Sequence, residues 1–198
     1  MQAAGESVAG DFSELRNYMI CRLLWNPNLR GQELMDEFLD LHYEKAAPPI
    51  RRFINFMHNT VAAKGIESDC FGSARRHFGI GDQIIGAGLE AFEEALQLAG
   101  SDLIRRRVEQ ASISVYGAAI EEPYRWAWLH VGGLRGRPAQ PGGKTMEPEF
   151  ARRYRPHVKK FFDLCETYGV TEWHGNAPIE NTRNMIRRAY GLEEEEPF

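Results

Sequence analysis

Between Asp82 and Ala118 the apolar residues recur at a spacing that suits a helix and nothing else. Ile85, Leu89, Phe92, Leu96 and Ala99 follow one another at intervals of four and three, and Ile104, Val108, Ala111, Val115 and Ala118 repeat the pattern. Gly100 stops the first stretch and Ser101 can cap the second. Two heptad-like helices joined by so short a turn are expected to pack as an antiparallel hairpin, spanning about 82–130. Pro123 interrupts the second arm and should kink or split it. Beyond it Trp126, Trp128, Leu129 and Val131 form an aromatic-rich end. No stretch of the chain sustains a period of two. The expected fold class is therefore all-α, a bundle of six or seven helices.

The remaining helices carry their own stops and starts. Asp11 with Glu14 resembles a capping box that opens a helix over 11–25. Leu15, Tyr18, Met19, Arg22 and Leu23 recur at helical spacing there, and Ile20, Cys21 and Leu24 widen the apolar face, so heavy burial is expected. Pro27 ends this helix, because the residue before a proline is pushed out of the helical region. A second helix follows from about Arg30 to Tyr43, with Leu34, Met35, Phe38, Leu39 and His42 in one stripe. A third begins near Ala46 with Pro48 and Pro49 in its first turn, carries Ile50, Phe53, Ile54, Met57 and Val61, and is capped by Gly65.

Residues 66–80 read as a long loop broken by glycines, and 132–145 as a Gly/Pro-rich loop. Thr145 should cap a helix over 147–168, unless Pro156 delays its start to about Arg155. Gly169–Gly175 reads as a short extended or irregular stretch. Pro178 opens a last helix over 178–190, which Gly191 ends. The organisation expected is a flexible lead-in over 1–10, one helical domain over 11–191, and an acidic tail over 192–198.

Several function classes lose support from composition. A net charge of −4 and a pI near 5.9 give nucleic-acid binding no global electrostatic basis. The basic runs, such as Arg105-Arg106-Arg107, are scattered among acids and read as solvated helix faces. No run approaches the roughly 18 apolar residues of a membrane span, and Met1–Ser7 has no signal-peptide pattern. Three widely spaced cysteines, Cys21, Cys70 and Cys165, point neither to a disulfide framework nor to a zinc site. None of the six histidines joins a metal motif, so no metal or cofactor is expected. The acidic pairs Asp36-Glu37, Glu93-Glu94 and Glu121-Glu122 are sequence neighbours on helices, and such neighbours point apart instead of facing across a cleft. No catalytic residue is assigned, and whether the chain is an enzyme is left open.

The densest chemistry lies in Thr171-Glu172-Trp173-His174, where a carboxylate, an indole and an imidazole share a non-helical segment. Glu172, Trp173 and His174 are the candidate substrate-binding residues. An indole can stack on a sugar ring, and its neighbours can bond hydroxyls. The plainer reading, which stands ahead of it, makes Trp173 a core plug between the last two helices. Trp25, Pro27, Phe38, Tyr43 and Phe53 are the expected structural residues. Trp25 is expected to pin the first three helices together, and its loss should cost about 3–5 kcal/mol if it is fully buried.

One set of residues resembles a known family. Leu15-Arg16-Asn17-Tyr18, Leu23-Leu24-Trp25-Asn26-Pro27, Glu37-Phe38, and Tyr43 with Ala46-Ala47, Ile50 and Phe53 are similar to the C-terminal helical region of the domain of unknown function 4838 family. Arg107-Val108-Glu109-Gln110-Ala111 also looks like that family's long helix. Glu44 stands where the family's pattern has glycine, so that turn is expected to be built differently. The resemblance implies a carbohydrate-active context. Such proteins are bacterial, often secreted, and carry a glycoside-hydrolase-like barrel related to α-glucuronidases. This chain shows no barrel pattern. It is expected to be a non-catalytic module that buttresses a barrel domain, alone or as a truncated reading frame, with that barrel or a carbohydrate as its partner and an extracytoplasmic location if its parent is secreted. The alternative is a stand-alone helical protein-interaction module.

Overall fold

The computed structural model describes residues 12–66, 74–75, 78–132, 144–173, 177–192, 196 and 198 of the 198-residue chain. The expectations for the lead-in, the Asp11 cap, Cys70, His77, most of the Gly/Pro-rich loop, His174 and most of the acidic tail lie outside the described residues. Among the described residues eight α-helices run in order: α1 Ser13–Trp25, α2 Gly31–Tyr43, α3 Ala47–Ala63, α4 Asp82–Leu98, α5 Asp102–Ala119, α6 Glu121–His130, α7 Pro148–Thr167 and α8 Ile179–Tyr190. A 3-10 turn, Glu44–Ala46, joins α2 to α3. Two short strands, β1 Glu172–Trp173 and β2 Ala177–Pro178, pair antiparallel before α8. The all-α expectation holds. The chain divides into two compact units, 1–115 and 116–198, with the boundary inside α5.

Proline chemistry explains most helix ends. The fifth helix breaks at Ile120, so that Pro123 falls in the first turn of α6 and is buried there. A proline ring collides with the carbonyl four residues back, and here that residue is Ala119, where α5 stops. In α7 the outcome differs. The helix starts early at Pro148 and runs straight through Pro156. Both Pro156 and Arg152 are exposed, so the missing hydrogen bond falls on the side of the helix that faces water. Thr145 does not cap α7, whose N-cap is Glu147. Ser101 does cap α5, its Oγ accepting from the Ile104 amide at 3.3 Å.

The first unit is built on aromatic rings. Phe12 stacks on Phe92 with centroids 6.2 Å apart, and Phe53 meets both, at 6.4 and 6.1 Å. Phe38, Tyr43 and Phe53 are buried. Tyr18 on α1 packs on Phe38 of α2 at 5.4 Å. Arg51 of α3 donates to Asp36 at 2.7 Å and to Asp40 at 2.6 Å on α2. Arg107 of α5 donates to the His42 carbonyl at 3.0 Å. Burial and the nearby Arg107 charge hold the His42 imidazole below its ordinary range.

The hairpin of α4 and α5 closes at a glycine. A methyl group at Gly88 would lie 2.9 Å from the Phe53 ring and from Val115 Cγ1. Two helices that return on each other across a short turn make this approach possible only where a side chain is missing. At Gly86, on the same helix, a methyl would meet nothing within 4 Å. Gly86→Ala should therefore stabilise the protein by about 0.5–1 kcal/mol through helix propensity. Gly88→Ala should destabilise it by about 1–3 kcal/mol through overpacking. Urea midpoints of the two variants decide the matter, and equal gains would mean that the ring and Val115 shift freely.

Glu44, in the turn after α2, has φ 51° and ψ −123°. This is backbone that glycine adopts easily and an L side chain resists. Glu44 therefore holds a glycine-like conformation and carries the strain. Glu44→Gly should raise stability by about 1 kcal/mol, read as a higher melting temperature. A lower melting temperature would show that the Glu44 side chain does more for the fold than the strain takes away.

The second unit has its own core. Phe161, Val158, Met185 and Ile186 are fully buried on α7 and α8. The Met146 amide donates to the Ala189 carbonyl at 2.7 Å, tying the approach to α7 onto the end of α8. Cys165 is buried here, and burial pushes its thiol up to about 12, so it is unreactive at neutral pH. Gly191 closes α8 with a left-handed φ of 70°.

Candidate functional site

The first helix, expected to be heavily buried, is left largely open. Only Ser13 and Leu15 of α1 are buried. Leu24 is 71% exposed and Trp25 is 92% exposed. Trp25 therefore does not pin the first three helices, and Pro27 beside it is exposed as well. The reason is visible on the helical wheel. Leu15, Tyr18, Met19 and Arg22 form one stripe, while Asn17, Ile20, Cys21 and Leu24 form a second stripe on the opposite side. α2 is the main partner of α1, and it takes the first stripe: Tyr18 sits on Phe38, and Arg22 bridges to Glu37 at 2.9 Å. Cys21 and Leu24 stay exposed and Ile20 is half-buried. On α2, Leu41 is 71% exposed.

Polar contacts brace this end of the unit. The Arg22 guanidinium donates to the Tyr18 hydroxyl and to Glu37, and it holds the Glu37 carboxyl below the usual carboxylate range. The α1–α2 turn is closed by the Asn26 side chain, which accepts from the Asn28 amide at 3.1 Å. Trp25 is thus presented from a braced helix end and is left open by the described residues. An exposed Trp with an exposed Leu beside it has no catalytic chemistry. It is apolar surface available to another surface.

The second candidate, the Glu172 cluster, is built around the strand pair. Trp173 opposes Ala177 and Glu172 opposes Pro178. Adjacent residues of a strand point to opposite faces, so the carboxylate and the indole diverge. Glu172 is exposed. Trp173 turns inward and is half-buried against Phe161 at 4.8 Å and Tyr124 at 5.1 Å between centroids. A Cβ at Gly117 would be 3.5 Å from its indole. The ring is engaged as a plug by its own chain.

Among the described residues no group of three or more His, Cys, Asp or Glu is placed to hold a metal ion. Among them, too, no helix is long and apolar enough to cross a membrane. Apolar content alone marks the outer stripe of α1 as core, which is why its exposure does not follow from the sequence. The available signal was two back-to-back apolar stripes on one 13-residue helix, more than a single neighbouring helix can cover.

The comparisons with known proteins point to the same end of the chain. A family model described as a domain of unknown function (DUF4838) matches residues 1–55. The matched stretch holds α1, α2, the strained Glu44 turn and the first half of α3. Neither a curated protein nor a solved structure matches the chain.

Proposed function

We propose, from the premise that residues 1–55 are similar to the domain of unknown function 4838, that this chain is a non-catalytic helical module that docks on a glycoside-hydrolase-like barrel domain through the outer side of α1. The observation that carries this reading is the exposure of Leu24 and Trp25 at the end of α1, inside the matched stretch. A Trp side chain offers about 150–250 Å². At about 25 cal/mol per Å², covering it is worth roughly 4–6 kcal/mol before any ordering is subtracted. Trp is also among the residues that most often dominate an interface. The module would brace the barrel, and the barrel would hold any carbohydrate chemistry.

The test uses the whole chain and a purified barrel domain from a protein of that family. The chain should bind the barrel, and Trp25→Ser should weaken binding by about thirtyfold or more, the effect of losing a hot-spot side chain. The same variant should melt within about 1–2 °C of the parent, because among the described residues little touches that indole. Made alone, the chain should self-associate at high concentration and Trp25→Ser should reduce this. A chain that stays monomeric and ignores the barrel would sink the proposal.

A further inference from the structure

His42 is the last residue but one of α2, and its half-buried ring is packed between aromatic neighbours. It stacks on Phe38 with centroids 4.6 Å apart and planes 18° from parallel. Tyr43 meets it edge-on at 4.7 Å. An imidazolium at the end of a helix is ordinarily favoured, because the last carbonyls carry partial negative charge. Here the His42 carbonyl is already taken. The Arg107 guanidinium of α5 donates to it at 3.0 Å. A proton on His42 would set a second cation beside one that is held in place.

Two charged groups act on the ring. Arg107 opposes the proton and Glu14 of α1 favours it, while burial keeps the Tyr43 phenol neutral. Glu14 is shared, since Gln110 and the Ser13 hydroxyl each donate to it at 3.2 Å. Burial and Arg107 outweigh it. The chain beside His42 is strained as well. Glu44, two residues on, has φ 51°. Tyr43 between them is 2% exposed, and Ala46 and Ala47 just beyond are fully buried.

We propose that His42 makes the joint between α2 and α3 an acid-sensitive lock, closed while the imidazole is neutral and released from α5 when the ring takes up a proton. Moving the last turn of α2 off Arg107 relieves the repulsion between the two cations. The same movement lets the strained Glu44 backbone relax. Linkage fixes the sign. The folded chain resists the proton that an unfolded chain accepts in the ordinary imidazole range, so stability that is complete above that range is lost as the pH falls through it.

The experiment follows urea midpoints of the parent and of His42→Phe, whose ring can keep the stack on Phe38, from about pH 7.5 to about pH 5.5. Over that interval the folding constant of the parent should fall at least about threefold more than that of His42→Phe. His157, which burial also holds low, is common to both chains and cancels in the comparison. Equal falls overturn the lock. Hydrogen exchange then reads where the chain opens. The Glu44 amide donates to the Asp40 carbonyl and the Ala47 amide to the Glu44 carbonyl. After correction for the chemical exchange rate, both should open at least about threefold more often at the lower pH, ahead of the Ile54 amide inside α3. Glu44→Gly should reduce that gain. Opening in step with Ile54 means that the whole unit unfolds, and overturns the lock. An undiminished gain in Glu44→Gly overturns the part given to the strained turn. If His42→Phe does not fold, the parent's own ring resonances decide. Titration of His42 below that of the same histidine in an unfolded peptide of residues 36–48 supports the lock, and titration at or above it overturns it.

Discussion

Phe53→Ala is expected to lower folding stability by about 3–5 kcal/mol, a large part of the roughly 5–15 kcal/mol margin of an ordinary domain. Phe53 is 5% exposed and its ring meets Phe12 and Phe92. Each aromatic pair adds about 0.5–1.5 kcal/mol beyond area. The ring also fills the space that the missing side chain of Gly88 leaves open. Truncation would therefore leave a cavity bordered by a helix backbone, which relaxes poorly. A urea titration measures the loss. The informative comparison is Trp25→Ala in the same titration, expected to change stability by no more than about 0.5 kcal/mol. If the two variants were equally harmful, the exposure of Trp25 would be wrong.

Phe161→Ala should have a comparable effect on the second unit, about 3–5 kcal/mol. Phe161 is fully buried on α7, edge-on to Phe162 at 5.2 Å and against Trp173 at 4.8 Å. Removing it takes away one wall of the Trp173 site. Trp173 emission should therefore shift to the red in the folded variant, and a Trp173→Phe control should abolish that shift. An unchanged spectrum with unchanged stability would mean that Phe161 is not a wall of the Trp173 site.

Much of the helical plan was legible because helix ends are set by local chemistry. Ser101 caps α5, Gly191 closes α8, and Pro48 and Pro49 lie in the first turn of α3. Pro123 divided the fifth helix, as a ring without a donor should. Pro156 was harder, because whether a proline is tolerated depends on which side of the helix faces water, and that is a property of the neighbours. The candidate site was less legible still. Trp25 and Phe53 are both large aromatic residues in apolar stretches, and nothing local separates them. One is 92% exposed and the other 5%.

By itself the sequence determined the all-α class, the position of nearly every helix and the hairpin of α4 with α5. Period, proline, glycine and caps act within a few residues of one another. Only the tertiary structure decided which of the two apolar stripes of α1 is covered, and that the Glu44 turn holds a glycine-like conformation without glycine. It also decided that Trp173 and Glu172 part company across a strand, and that the Phe198 ring stacks on Phe162 of α7. Each of these depends on which surfaces meet across long stretches of chain. α2 presents enough apolar surface for one side of α1, and the second side keeps Leu24 and Trp25 in water.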